Sequence, residues 1–290
     1  MRSEQEMLSL IVDYAKENDR VRAVIMNGSR LNSNAPRDCF QDYDIVYVVT
    51  DVNIFVSDRD WIKRFGEPMI MQTPEENGHP PRESYEFFNY LMQFTDGNRI
   101  DLNLYSLEAF NQVDKDSLSL LLLDKDGQIE PFPPPSDSDY ITRRPSPKQF
   151  ADCCNEFWWV CPYIAKGLWR GEVLYAKHMF DGPVRDMLIQ MLRWHIGVRS
   201  GFTLDSGKYG KYFEKQLTPQ QWGQLMRTYS DADYEHMWQA LFVMADLFRQ
   251  TAVEVAAHLG YEYLHDDDRR VTAHLEHVRN LPQDAEQMYP

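Results

Sequence analysis

The chain of 290 residues is long enough for two domains of ordinary size, and its 43% hydrophobic and 13% aromatic content excludes a largely disordered protein. Its formal charge of −15 disfavours a nucleic acid partner and favours a cationic small substrate. The N-terminus is too charged for a signal peptide, and no apolar run approaches the roughly 18 residues that span a bilayer. We therefore expect a cytoplasmic protein with no membrane span, in which the four cysteines are free thiols.

The first half of the chain is predicted to alternate between helices and strands. Apolar residues recur at helical spacing after Ser3, which predicts a capped helix over residues 4–18. The turn Asp96-Gly97-Asn98 predicts a β-hairpin over residues 85–106. The remaining runs predict strands over residues 21–26, 42–51 and 67–72, helices over residues 53–66 and 107–113, and a last strand or helix end over residues 118–127.

A proline-rich stretch, EPFPPPSDSDYITRRPSP, separates this half from the rest of the chain. Its six prolines in 18 residues are typical of a semi-rigid linker, so the sequence predicts two domains, residues 1–135 and 136–290. Almost everything beyond it is predicted to be helical, with two or three helices over residues 147–201, one that begins after Thr218 and one that ends at Gly260. The charged tail from His265 onward is predicted to be poorly ordered at its end. The predicted fold class is α+β, with a mixed-sheet domain followed by an α-helical bundle.

Three aspartates are the first candidates for chemistry. Asp42 and Asp44 lie at positions i and i+2 at the start of a strand, so their side chains project to the same face. Like charges so close together need a neutralising partner, which is usually a metal ion. Asp101 lies on the second arm of the predicted hairpin and would join them if that arm lies beside their strand. Carboxylate oxygens in such a cluster suit Mg²⁺, which can hold the phosphates of a nucleotide.

A possible phosphate site precedes these acids. Gly28 and Ser29 follow a predicted strand, and a glycine there lets backbone N–H groups approach an anion. The hydroxyl of Ser29 can donate to a phosphate oxygen, and Arg30 can add a charge-assisted hydrogen bond. The spacing from Gly-Ser to Asp-x-Asp, with a third acid on a later strand, points to a nucleotide-binding enzyme.

This pattern resembles that of the nucleotidyltransferase superfamily, in which Gly-Ser or Gly-Gly precedes Asp-x-Asp on a strand. One departure is Asn27, where the superfamily pattern has an apolar residue. More narrowly, nearly the whole chain resembles the aminoglycoside 6-adenylyltransferases, the group that modifies streptomycin. The strings that carry the resemblance are NGSR, FQDYDIVYVVTDV, DGNRIDLNL, LLLDKDG, RRPSPKQFADCCNEFWWV and YIAKGLWRGE.

The resemblance implies a nucleotidyltransferase domain of the polymerase-β type, followed by a helical domain that contributes to substrate binding. It implies the transfer of AMP from MgATP to a hydroxyl of a streptomycin-type aminoglycoside, with release of pyrophosphate and inactivation of the antibiotic. The oligomeric state is expected to be a monomer or weak dimer. The residues that match the family are the metal ligands Asp42, Asp44 and Asp101, the triphosphate-binding residues Gly28, Ser29 and Arg30, and, from the helical half, Glu156 and Lys166.

Several alternatives stay open. The general base is either Asp101 or Glu156. Lys166 either reaches a phosphate or is a solvated lysine at a helix end. The acceptor could be another small molecule or a protein hydroxyl, or the chain could be a catalytically lapsed nucleotide-binding module. Lys208 and Lys211, in GKYGKYF, are a further candidate pair of phosphate ligands.

Overall fold

The computed structural model describes residues 1–78, 80 and 82–289. The chain divides into two compact units, Met1–Asp139 and Tyr140–Pro290. The first combines a mixed sheet with helices, and the second is predominantly helical. The predicted α+β fold class is confirmed.

The first unit is built on a mixed sheet. Its strand order is β3-β4-β5-β2-β1-β6. Strands β2 and β5 run parallel to each other, whereas the other neighbouring pairs are antiparallel. Within the described residues its six strands are β1 (Val21–Asn27), β2 (Tyr43–Val49), β3 (Pro68–Gln72), β4 (Phe87–Phe94), β5 (Arg99–Ser106) and β6 (Ser119–Asp124).

The two faces of this sheet are covered unequally. One face packs against α1 (Glu4–Glu17) and α2 (Val52–Ser57) in a large aromatic core. The opposite face carries a smaller cluster around α3 (Leu107–Gln112), in which Phe110 packs on the strands. Side chains alternate along a strand, so the residues of β2 and β5 that do not enter the large core point to this less covered face. Asp44 and Asp101 are among them.

Local capping signals in the first unit act as predicted. The Ser3 hydroxyl accepts from the Glu6 N–H, and the Glu6 carboxylate accepts from the Ser3 N–H, which forms a capping box at the start of α1. The predicted helix over 53–66 is shorter than expected: α2 ends at Ser57, and a separate 3₁₀ turn covers Asp60–Phe65. Residues 118–127 were predicted to be either a strand or the end of a helix. They contain strand β6, which pairs with β1.

The second unit is a packed set of helices. Its longest helices, α4 and α9, meet through the stacked rings of Phe157 and Phe248, whose centroids are 3.7 Å apart. Among the described residues, no helix is both long enough and apolar enough to cross a membrane. Its α-helices are α4 (Pro147–Trp169), α5 (Val173–Met179), α6 (Arg185–Ser200), α7 (Phe213–Gln216), α8 (Pro219–Arg227), α9 (Tyr234–Leu259) and α10 (His265–Asn280), with a π-helical turn over Phe180–Val184.

Helix α10 is the main element that the sequence did not predict. Its mean hydropathy is low because seven of its 16 residues are Asp, Glu or Arg, yet Leu275 and Val278 are buried in the core of the unit. The carboxylate of Asp268 on α10 is also buried, and it receives hydrogen bonds of 2.6 Å from the Arg249 guanidinium and 2.9 Å from the Tyr263 hydroxyl. These contacts stabilise a helix whose hydrophobic periodicity alone is too weak to predict it.

Candidate active site

The parallel pairing of β2 and β5 brings three carboxylates together. Asp44 on β2 lies directly opposite Asp101 on β5, and Asp42 immediately precedes β2. One oxygen from each carboxylate lies within 4.8 Å of one oxygen from each of the others, and all three side chains are half-buried. We call Asp42, Asp44 and Asp101 the carboxylate triad.

The negative charges of the triad repel one another. Burial, together with the neighbouring charges of Asp42 and Asp101, raises the pKa of Asp44 from 3.8 to about 7. Arg99 opposes this shift. A cation would bind favourably beside a carboxyl with such a pKa. It would offset the repulsion among the three carboxylates and would favour the ionised form of Asp44. The all-oxygen donor set is the one that Mg²⁺ prefers.

Arg99 is a functional candidate that the sequence reasoning missed. Its Nε donates to Asp101 Oδ1 at 2.8 Å and its Nη2 donates to Asp101 Oδ2 at 2.6 Å. Its Nε also lies 4.0 Å from Asp42 Oδ2. Among the residues described, Arg99 is thus the one cation that forms an ion pair with the carboxylates of the triad. The signal was present in the string RID, because residues i and i+2 of a strand share a face.

Gly28 lies so close to Asp44 that a side chain at this position would displace the Asp44 carboxylate. Its φ of +83° is unfavourable for residues with a Cβ, and a Cβ built there would overlap Asp44 Oδ2. Its N–H donates to the Leu118 carbonyl at 3.0 Å. Ser29 then opens a 3₁₀ turn over Ser29–Leu31, and its hydroxyl makes no hydrogen bond to any part of the chain that the structure describes. The backbone at Gly28 and the free hydroxyl of Ser29 therefore lie at the edge of the triad.

Arg30 makes its hydrogen bonds to the loop that precedes β2. Its Nε donates to the Asp42 carbonyl at 2.8 Å, and its Nη2 donates to the Gln41 carbonyl at 2.7 Å. The guanidinium also stacks over the Tyr43 ring, 3.7 Å from the centroid. Arg30 thus supports the loop that positions Asp42, and its predicted contact with a triphosphate stays a prediction.

The polar residue Asn27 has a structural partner. It lies opposite Asp44 in the β1–β2 register, and its Oδ1 accepts a hydrogen bond of 2.9 Å from the Ser119 hydroxyl on β6. The superfamily pattern favours an apolar residue at this position because it lies inside the sheet. Here the hydrogen bond across to β6 satisfies the amide oxygen, so Asn27 is accommodated beside the triad.

The remaining predicted site residues belong to helix α4 of the second unit. Glu156 is exposed, and Lys166 is half-buried with its ammonium 5.0 Å from the centre of the Tyr163 ring. Trp158 is buried and donates from Nε1 to the Tyr263 hydroxyl at 3.1 Å, so it packs within the second unit. Trp159, in contrast, is 62% exposed. The roles of Glu156 and Lys166 toward substrates stay predictions.

Comparison with known proteins extends this picture. A family model described as streptomycin adenylyltransferase matches residues 1–278. The aminoglycoside 6-adenylyltransferase of Bacillus subtilis (strain 168) is 40% identical over 280 residues, which are 96% of this chain and 98% of that protein. The enzyme of the same name from Campylobacter jejuni is 42% identical, over 92% of this chain and 93% of its own length. A crystal structure of an aminoglycoside 6-adenyltransferase from Bacillus subtilis aligns with a TM-score of 0.48 at 36% identity, and covers 97% of this chain and 100% of that one.

Proposed function

Because the chain belongs to the streptomycin adenylyltransferase family and is a nucleotidyltransferase, we propose that it transfers AMP from MgATP to a hydroxyl of a streptomycin-type aminoglycoside. The reaction would release pyrophosphate and inactivate the antibiotic. The observation that carries this proposal is the carboxylate triad, with the Gly28 backbone directly against Asp44. A site with three acids and an adjoining anion-binding turn suits phosphoryl chemistry.

The triad fits Mg²⁺ by its chemistry. Its carboxylates supply hard oxygen ligands, and burial and the neighbouring acids raise the pKa of Asp44, which a bound cation would lower again. Mg²⁺, when bound, would neutralise charge on the phosphates and make the α-phosphorus more electrophilic. Asp42, Asp44 and Asp101 are the residues that would hold it.

The residues of the chain would divide the remaining work. The Ser29 hydroxyl would bind a phosphate oxygen and help to align the triphosphate, whereas the Gly28 N–H is already held by the Leu118 carbonyl. The acceptor oxygen would form a bond to the α-phosphorus while the bond to the β-phosphate bridging oxygen breaks, and pyrophosphate leaves with that electron pair. Asp101 or Glu156 would accept the proton of the acceptor hydroxyl. Each oxygen of Asp101 already accepts one hydrogen bond from Arg99 and keeps a further lone pair for a proton or a metal ion.

The charge of the chain supports a cationic acceptor, and its cysteine usage supports a cytoplasmic location. Streptomycin carries guanidinium groups, and the formal charge of −15 on this chain favours cationic ligands. Glu156 is an exposed acid that would suit such a ligand. The four cysteines are free, and a reducing cytoplasm, where ATP is abundant, would keep them so.

The test is pyrophosphate release from MgATP by the purified protein, with and without streptomycin. We expect release that depends on streptomycin, and we expect Asp42→Asn to lower it at least about 100-fold while the protein stays folded. Asp13→Asn is the matched control, because Asp13 is an exposed acid whose carboxylate pairs with Lys16 at 3.0 Å, and its loss should leave the rate unchanged.

The outcomes separate the competing hypotheses. Full activity of Asp42→Asn would contradict the assignment of the triad. Release with a different aminoglycoside, a lincosamide or a protein hydroxyl, but not with streptomycin, would retain the chemistry and change the acceptor. A folded protein that binds MgATP and releases no pyrophosphate with any acceptor would indicate a lapsed enzyme.

A further inference from the structure

A candidate subsite for the acceptor lies on the face of the sheet that carries the triad, on the Asp101 side. It consists of Glu75, Phe87, Asn89 and Tyr105, and we call it the guanidinium patch. We propose that the guanidinium patch binds a guanidinium group of the acceptor, with Glu75 as the counter-ion. This assignment rests on the proposed function, because a bound acceptor is needed only if the chain transfers AMP.

The chemistry of transfer decides from which side the acceptor approaches. The attacking and leaving oxygens lie roughly in line, on opposite sides of the α-phosphorus. Ser29 follows β1 and would hold the triphosphate, so pyrophosphate would leave toward that side of the triad. Strand β5, which carries Asp101, lies on the other side of β2 from β1. The acceptor hydroxyl would therefore lie on the β5 side, next to Asp101.

The guanidinium patch lies on the same face of the sheet as the triad and close to it. On β4, Asn89 lies two residues from Leu91, which is directly opposite Asp101. Side chains at positions i and i+2 of a strand share a face and are about 7 Å apart. Phe87 continues this row along β4 and lies opposite Tyr105 on β5. An acceptor of several rings can thus reach the patch while its hydroxyl lies beside Asp101.

Glu75 supplies a negative charge that Asn89 holds in place. Its Oε2 accepts from the Asn89 backbone N–H at 3.0 Å, and its Oε1 accepts from Asn89 Nδ2 at 2.7 Å. The adjacent Glu76, in contrast, pairs with the Arg59 guanidinium at 2.6 Å. Within the part of the chain that the structure describes, no cationic side chain lies within ion-pair distance of Glu75. The two oxygens of Glu75 are thus fixed by uncharged donors and keep further lone pairs for a cation.

The aromatic rings of the patch offer the second element of a guanidinium site. Phe87 is 40% exposed, and its ring stacks on that of Tyr105 with 6.0 Å between the centroids. Burial raises the pKa of Tyr105, and the charge of Glu75 acts in the same direction, which places that carboxylate near the phenol. A planar guanidinium can stack on an aromatic ring while its N–H groups donate to a carboxylate. The patch therefore favours a guanidinium over a compact ammonium.

The experiment is calorimetric titration of streptomycin into the full-length protein with Mg²⁺ and α,β-methylene ATP, which cannot transfer AMP. Glu75→Gln removes the charge but keeps an oxygen that accepts from Asn89, and it should weaken streptomycin binding at least about tenfold. Phe87→Leu removes an exposed aromatic face and should weaken binding about threefold. Glu86→Gln is the matched control and should stay within about twofold, because Glu86 is exposed and three residues from Asn89, so its side chain points to the opposite face.

Turnover kinetics and competition separate binding from chemistry. In Glu75→Gln the KM for streptomycin should rise at least about tenfold, while kcat and the KM for MgATP stay within about threefold. Streptidine, the diguanidino ring of streptomycin, should compete with streptomycin at least about fivefold better than streptamine, its diamine counterpart. This preference should fall to about twofold in Phe87→Leu. Circular dichroism would verify that each variant is folded.

The results support the patch or overturn it. Equal streptomycin binding by Glu75→Gln and Glu86→Gln, or equal competition by streptidine and streptamine, would overturn it. So would a lower kcat of Glu75→Gln at unchanged KM, or absence of streptomycin binding by the wild type. Streptomycin-dependent pyrophosphate release would then leave the proposed function standing. Failure of that release, with streptomycin bound and weakened by Glu75→Gln, would refute the proposed function and leave the patch as a guanidinium site. If Glu75→Gln does not fold, Phe87→Leu and the streptamine competition still decide the matter.

Discussion

Replacement of Asp44 by asparagine should stabilise the metal-free protein at alkaline pH, although it removes a residue of the triad. Burial and the neighbouring acids raise the pKa of Asp44 in the folded chain from an ordinary 3.8 to about 7. Between these two values the folded state holds a proton that the unfolded state has lost. Stability therefore falls as the pH rises through this window and stays low above it.

The magnitude follows from the size of the shift. Each pKa unit corresponds to about 1.4 kcal/mol, so ionising Asp44 costs the folded state at most about 4 kcal/mol at pH 8.5. At pH 5 only about 1.6 kcal/mol of this is felt, because the carboxyl is still largely protonated in the folded chain. Asparagine carries no charge at either pH. The stability difference between Asp44→Asn and the wild type should thus grow by about 3 kcal/mol from pH 5 to pH 8.5.

Urea unfolding in EDTA at the two pH values measures this difference. Asp13→Asn serves as control, and its stability relative to wild type should change by less than about 1 kcal/mol between them, as expected for an exposed acid. Added Mg²⁺ should stabilise the wild type at pH 8.5 more than Asp44→Asn, because asparagine is a weaker ligand. A stability difference that is the same at pH 5 and pH 8.5 would show that Asp44 does not titrate near neutrality and would refute the electrostatic account of the triad.

Three further substitutions test the surroundings of the triad. Gly28→Ala should lower transfer activity at least about 100-fold, because its Cβ would overlap the Asp44 carboxylate; wild-type kinetics would contradict the close approach. Arg99→Gln should bind Mn²⁺ about tenfold more tightly in the absence of nucleotide, as followed by electron paramagnetic resonance, since it frees both oxygens of Asp101 and removes a competing charge. Unchanged or weaker Mn²⁺ affinity would show that Arg99 does not compete with the metal. Arg30→Met should reduce the free energy of urea unfolding by about 2–3 kcal/mol, because two backbone carbonyls lose a charged donor; a loss below about 0.5 kcal/mol would contradict its supporting role.

Much of the fold was readable from short stretches of sequence. The capped start of α1 at Ser3, the hairpin turn at Gly97 and the capping box that opens α8 at Thr218 all depend on residues within a few positions of one another. The pairing of Asp42 with Asp44 is equally local, because a strand places residues i and i+2 on one face. Backbone geometry over such distances is nearly independent of the rest of the molecule.

The sequence could not establish how distant segments meet. Asp101 joins the other two acids only because β5 lies parallel to β2 with Asp101 opposite Asp44, a register between strands more than fifty residues apart. The pattern of acids suggested that pairing. The spacing of Arg99 and Asp101 on one strand places them on the same face, but it does not decide which acid the guanidinium binds. A side chain with several rotatable bonds can reach several partners, and the folded surface decides which one it binds. The hydrophobic periodicity of the sequence does not contain that information.

The sequence by itself therefore determined the α+β class, the position of most helices and strands, and the two adjacent acids at the start of β2. Tertiary structure alone decided that Arg30 supports the Asp42 loop and that the charged segment from His265 forms α10 around the buried Asp268–Arg249 ion pair. The physical reason is the range of the interactions. Caps, turns and alternating side chains are set by neighbours along the chain, whereas strand register and buried charges are set by residues that come together only when the whole unit folds.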